Sequence, residues 1–263
     1  MKIKLLTTVL TAGILTACGS DKSNEQTTAA ADAERVVHIA TESSFKPFSY
    51  LDNQGNLVGL EIDLANALCD EMKVQCEISS QDWDGLIPGL TANKFDAIMA
   101  GMSVTKERAE VVDFSDSYFD NSIVLLGKKG VDMDANHLEG KTVAAQLATV
   151  SSDWVAANQP AATLKTYGQQ ENAYLDLSAG RADAMMSDIV PALDWLTTDA
   201  GKDFEIKGNA IDIGDTVAIA LRKNDPLKDE FNAALATLKT NGKYNEIVNK
   251  YLDLSALEAA KEH

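Results

Sequence analysis

Two stretches far apart in this chain, Thr91-Ala92-Asn93-Lys94-Phe95-Asp96-Ala97-Ile98-Met99-Ala100 and Ser178-Ala179-Gly180-Arg181-Ala182-Asp183-Ala184-Met185-Met186-Ser187, carry one pattern. Each reads as the end of a helix, a turn and a buried strand, and Ala, Asp, Ala and Met recur at matching positions. A repeated unit of this kind constrains the fold to two similar α/β halves, with a cleft between them. Around the first copy, Val36–Ala40 reads as a strand, and Leu60, Leu64, Ala67, Leu68 and Met72 form one face of a helix. Val74, Cys76 and Ile78 alternate as a half-buried strand; Asp84–Ala92 reads as a short helix and Phe95–Ala100 as a buried strand. Around the second copy the order repeats: strand Thr142–Gln146, helix Thr149–Ala157, strand Thr163–Tyr167, and helix Glu171–Ala179 closed by Gly180.

Thr216–Arg222 reads as one more strand, and Asp225-Pro226 opens a helix with proline at its first position. Phe231, Ala234, Leu235 and Leu238 make that helix's apolar stripe, and Tyr244, Ile247, Val248 and Tyr251 mark a last helix. These elements are expected to return to the first half. The chain would then cross between halves twice, near Phe119–Ser122 and near Asp212–Asp215, which is a hinge geometry.

The N-terminus constrains location. Lys2 and Lys4, an apolar stretch from Leu5 to Leu15 and the small residues before Cys18 read as a lipoprotein signal. An ordinary cleaved secretion signal is the competing reading. The stretch is short of the roughly 20 apolar residues that span a bilayer. Gly19 to Glu34 is polar and offers nothing to a core, as a solvated linker would, and as a coil it reaches on the order of 20 Å. Removing residues 1–17 takes two lysines from a chain of net charge −17 and leaves 246 residues, enough for two halves of ordinary size.

That acidity argues against nucleic acid and anionic membrane surfaces, which demand clustered Lys and Arg. It favours cationic small molecules, or serves solubility alone. With Cys18 assigned to a lipid, Cys69 and Cys76 remain, and in an oxidising compartment a pair at this spacing is expected to form a disulfide. His38, His137 and His263 are scattered and share no metal-ligand spacing with a cysteine. No nucleophile-elbow, zinc-helix or phosphate-loop motif occurs.

In open α/β sheets ligands bind beyond the carboxyl ends of the strands, so the residues that follow each strand are the candidates. Glu42 and Phe45 follow the first strand; an acid there could meet a cationic side chain while the ring stacks on it. The competing reading leaves Glu42 solvated and Phe45 in the core. Trp83 is either a second aromatic wall or a core tryptophan. Arg108 falls in the first turn of a helix capped by Thr105, where a cation opposes the helix dipole, and arginine holds carboxylates bidentately. A surface pair with Glu107 or Glu110 is its plainer role. Asp188 ends a strand and either receives an ammonium or caps the next helix.

From Arg35 to Leu254 the chain resembles the periplasmic polar amino-acid-binding proteins of ABC importers, in their basic amino-acid branch. The resemblance rests on Phe45-Lys46-Pro47-Phe48, Gly59-Leu60-Glu61-Ile62-Asp63-Leu64-Ala65, Asp84-Gly85-Leu86-Ile87-Pro88, Ser103-Val104-Thr105 with Arg108, Phe114-Ser115-Asp116, and Gly180-Arg181-Ala182-Asp183-Ala184 with Asp188. It implies a type II, two-lobe periplasmic binding protein fold of class α/β, with central sheets flanked by helices and two hinge crossings. Its lobes would be 35–120 plus 215–255 and 121–214, followed by a tail at 256–263.

The resemblance further implies that Arg108 grips an α-carboxylate with backbone N–H groups near Ser103 and at Thr149 and Val150. Asp188, the Gly101 carbonyl and the Ser103 hydroxyl would accept the α-ammonium. Glu42 would meet the ligand side chain, with Phe45 and Trp83 as walls, and Cys69 and Cys76 match a disulfide of the branch. Glu42 together with Ala100-Gly101-Met102 looks most like arginine binders. Relatives usually carry Gln-x-Gly-Thr-Thr where this chain has Gln146-Leu147-Ala148-Thr149-Val150, a departure that puts ligand orientation in question.

The resulting expectation is a monomeric lipoprotein, without cofactor or covalent chemistry, that hands a basic amino acid, arginine foremost, to a membrane permease. Lysine, ornithine, histidine or glutamine are alternative ligands. A cyclohexadienyl dehydratase-like enzyme is the alternative from another class.

Overall fold

The computed structural model describes residues 35–262. The expected signal segment, the lipidation site Cys18 and the linker to residue 34 lie outside the described residues.

Two five-stranded sheets organise the chain. The first runs, edge to edge, Gln75–Ser80, Val36–Thr41, Ala97–Ile98, Ala220–Leu221, Asp113–Phe114. The second runs Thr163–Tyr167, Thr142–Gln146, Ala184–Asp188, Ile123–Lys128, Phe204–Ile206. In both, the first three strands are parallel and the next is antiparallel to its neighbours. The repeat in sequence is thus a repeat in topology.

Its shared aspartate has a structural cause. Asp96 exchanges backbone bonds with His38 of the adjacent strand, taking the His38 N–H on its carboxylate at 3.0 Å and giving its own N–H to the His38 carbonyl at 2.8 Å. Asp183 does the same with Thr142, both bonds being 2.8 Å. Each aspartate therefore satisfies a backbone donor at the start of a parallel pair, where the ladder has not yet begun.

Several elements differ from the reading by pattern. Thr216–Arg222 is not one strand: Thr216–Val217 pairs with Phe119–Asp120, whereas Ala220–Leu221 enters the first sheet. The chain bends between them to serve two partners, with Ala218 N–H bonded to the Met102 carbonyl and the Ile219 carbonyl taken by Ser115. Phe95–Ala100 is regular only at Ala97–Ile98. Residues 256–263, expected as a tail, fall largely in the helix Leu254–Glu262, because Leu257 is buried against the core. The strands Ile123–Lys128 and Phe204–Ile206 and the small sheet of Ser44–Phe45, Ser49–Leu51 and Leu57–Val58 gave no alternating signal. Ile123–Gly127 is buried at every position, so its pattern is a plain apolar run.

Helix Leu60–Met72 turns Leu60, Leu64 and Leu68 inward and packs on Leu227–Thr240, whose Phe231, Ala234, Leu235 and Leu238 face it. Lys73 ends the first helix in the left-handed conformation. Just before that end, Cys69 bonds to Cys76 on the edge strand, Cα to Cα 6.0 Å. Closing so short a loop restricts the unfolded chain by about 2 to 3 kcal/mol. Replacing both cysteines by serine is expected to lower the melting temperature by roughly 5 to 10 °C while leaving the far-ultraviolet circular dichroism unchanged.

Candidate functional site

The carboxyl ends of strands from both sheets meet around one slot. Glu42, Phe45, Trp83, Ala100, Gly101, Ser103 and Arg108 line it from the first half. Gln146, Thr149, Val150 and Asp188 line it from the second. Eleven of the twelve residues picked from sequence thus come together. The correction is Met102, which packs in the core beside Ile98 and Ala218 because its neighbours Gly101 and Ser103 turn to the slot in its place.

Arg108 sits where its own helix begins: Thr105 accepts the Arg108 N–H at 3.2 Å, and the side chain swings inward. Its guanidinium donates to the Ser103 carbonyl at 2.8 Å and, across the seam, to the Ala148 carbonyl at 3.0 Å. It also lies over the Trp83 ring, 5.1 Å from its centroid. Neither Glu107 nor Glu110 pairs with it. Trp83 is therefore a prop for the arginine, and its indole N–H reaches the same Ala148 carbonyl at 3.3 Å. Ala148 has φ of 57°, a left-handed backbone that glycine adopts freely and alanine only under strain. Its carbonyl is aimed at the seam by that turn.

Glu42 is 3 % exposed. It accepts the Ser44 hydroxyl at 2.8 Å and both oxygens receive the Gln146 amide, at 2.9 and 3.1 Å. Burial raises its pKa against the opposing pull of those bonds. Phe45 closes one side. A methyl group on Gly101, whose φ is 59°, would stand 2.3 Å from the Phe45 ring, so the close approach demands glycine.

Asp188 precedes the helix Ile189–Leu196 without capping it through its side chain, which leaves the carboxylate to the slot. Burial and the neighbouring Asp215 push its pKa up to about 7, with the Asn121 side chain and then Arg108 pulling the other way. A further acid lies beneath: Glu61, fully buried, receives the Gly101 N–H at 2.7 Å and the Tyr118 hydroxyl, and burial raises it to about 7.

Thr149 does not offer its backbone N–H freely. That group donates to Ser152 Oγ at 3.1 Å in a capping box at the start of Val150–Asn158. Two lining residues escaped the sequence reading. Ser151 carries a buried hydroxyl without a hydrogen-bond partner among the described residues, and Gln170 reaches Ser187 and Tyr174 at 3.3 Å each. Gln170 follows the strand Thr163–Tyr167, so the strand-end rule that singled out Asp188 would have found it. Among the described residues no cluster of His, Cys, Asp and Glu could hold a metal, and no helix is long and apolar enough to cross a membrane.

Two α/β halves that meet on a slot lined by Arg108, Glu42 and Asp188 define a solute receptor of the two-lobe kind. Residues 37–254 match the model of the bacterial extracellular solute-binding proteins, family 3, and the chain belongs to that family. It is 38% identical over 229 residues to the L-arginine-binding protein of Pseudomonas aeruginosa, covering 83% of this chain and 88% of the relative. It is 34% identical over 268 residues to the lysine/arginine/ornithine-binding periplasmic protein of Escherichia coli, covering 97% and 98%. Among solved structures, an ancestral arginine-binding protein bound to arginine superposes with a TM-score of 0.79 at 34% identity, covering 82% of this chain and 98% of that one.

Asp188 and Glu61 hold protons in the folded state at pH values where the unfolded chain has released them. Their stabilising contribution is complete below the ordinary carboxylate range and is lost as pH rises through about 7. The melting temperature of the ligand-free protein is expected to fall by a few degrees between about pH 5.5 and about pH 8. His137, paired with Asp134, acts in the same direction. Asp188→Asn and Glu61→Gln should therefore each flatten the profile only in part, as read by melting curves across that range.

Proposed function

We propose that this protein captures a basic L-amino acid outside the cytoplasm, arginine foremost, and delivers it to the permease of an ABC importer. The observation that carries this reading is the charge of the slot's lining: one guanidinium, Arg108, with Asp188 and Glu42 facing the same space. A free basic amino acid has the complementary order of charges. Its carboxylate meets Arg108, its ammonium meets Asp188, the Gly101 carbonyl and the Ser103 hydroxyl, and its cationic side chain runs past Phe45 to Glu42. Gln146 spans both Glu42 oxygens in the closed form and yields or shares that position when a guanidinium arrives. The names of the relatives support the same ligand class.

Access requires the halves, residues 35–120 with 215–255 and residues 121–214, to part. Closure then re-forms the seam bonds to Ala148 and Glu42 and gives the permease a defined surface. Burying the ligand's charges in matched bonds drives that closure, and a monomer suffices. No step needs a cofactor or breaks a covalent bond, and the close relatives are binding proteins, so elimination from prephenate or arogenate is expected to be absent. The Cys18 motif supports a lipid tether that keeps the receptor beside its permease.

A thermal-shift panel of the twenty amino acids with ornithine and citrulline tests the assignment. A ligand at 1,000 times its dissociation constant adds about 4 kcal/mol of stability. Arginine, lysine and ornithine are expected to give the large shifts and citrulline, arginine's neutral isostere, a small one; a panel without any response would refute the proposal. Glu42→Gln should weaken arginine binding roughly 100-fold in calorimetry, because the ligand's cation is left buried without its partner, while citrulline binding changes little. Equal losses for the two ligands would remove Glu42 from the specificity argument.

A further inference from the structure

A serine hydroxyl has one proton to give and two lone pairs to receive with, so a serine lining a ligand site can face either a donor or an acceptor. At Ser103 that choice is already made. Ser103 Oγ donates to Asp215 Oδ2 at 2.8 Å. Asp215 does not line the slot and is buried at 6 % exposure. The same Oδ2 also receives the Asn121 side-chain amide at 2.8 Å, and the Asp215 carbonyl takes the Asn121 backbone N–H at 3.0 Å. The carboxylate is thereby pinned from two sides. Its other oxygen, Oδ1, is buried with no hydrogen-bond partner among the described residues.

We propose that Asp215 is a positioning residue that withdraws the Ser103 proton from the slot, leaves Ser103 Oγ there only as an acceptor, and so selects ligands bearing an α-ammonium over the same skeleton without it. This rests on the proposed role of Ser103 toward the ammonium. The Ser103 proton cannot point both ways, and a carboxylate is the strongest acceptor it could meet. An asparagine at 215 would offer the Ser103 proton a neutral amide oxygen in place of a carboxylate and so hold it less firmly. The Ser103 hydroxyl would then turn its proton into the slot more readily, against the positive end of the ligand. Asp215 and Asn121 also stand on the two segments that join the halves, so the residue setting the hydroxyl's direction is itself part of the crossing.

The test compares L-arginine with 5-guanidinopentanoate, which keeps the carboxylate, chain and guanidinium and lacks the α-amine. Asp215→Asn is expected to weaken arginine binding about 10-fold, the scale of one misdirected hydrogen bond to a charged group, with less than a threefold change for the deaminated compound. A merely structural role would lower both affinities together, and equal losses would overturn the proposal. If melting of the ligand-free variant shows that Asp215→Asn does not fold, Ser103→Ala is measured with the same two ligands. A loss confined to arginine supports an acceptor-only Ser103, and equal losses again overturn it. Should the wild-type protein bind no amino acid, the proposed function falls and this assignment with it. Arginine binding with equal losses sinks this assignment alone.

Discussion

The guanidinium of Arg108 is the interaction on which the site depends. It is the cation in a space otherwise ringed by Glu42 and Asp188, with Asp215 and Glu61 just behind, and it is bonded to a carbonyl of each half. Burial works against its charge, while Asp215 and Asp188 hold it. Because its bonds go to neutral carbonyls, its charge is not cancelled by a partner in contact and is kept for an incoming anion. An arginine placed instead in a salt bridge would have nothing left to offer a carboxylate.

The acids around it are in surplus, and that surplus shapes everything near the slot. Glu42, Glu61, Asp188 and Asp215 all have pKa values raised by burial, so each is held in a state that an added cation would relieve. A ligand carrying positive groups would therefore be answered by tension already present in the protein. The hydrogen bonds from Gln146, Ser44, Asn121, Ser103 and Tyr118 keep that tension within bounds.

How much of this could be read from sequence follows from where each signal resides. Thr142–Gln146 and Thr163–Tyr167 were legible to the residue, and the repeat at Asp96 and Asp183 marked corresponding strands because both carboxylates perform the same backbone task. That Glu42, Arg108 and Asp188 share one slot was legible because residues beyond the carboxyl ends of parallel strands gather at one edge of the sheets. Ile123–Lys128 was not, since burial on both faces erases alternation. Met102 was misplaced because its two neighbours face the slot, and a residue between them must face the other way. Glu61 was visible only as a motif letter; its contact with Gly101 spans forty positions and leaves no local trace.

The two segments joining the halves are themselves paired, Thr216 opposite Asp120 and Val217 opposite Phe119. A ribbon two strands wide flexes readily across its flat face and resists shear along its length, because sliding would break the ladder between its strands. Opening of the proposed kind would thereby be a swing about one axis. In such a swing the bonds from Arg108 and Trp83 to Ala148 and from Gln146 to Glu42 would let go in concert, and the receptor would work as a switch with two positions instead of a mouth that yields by degrees.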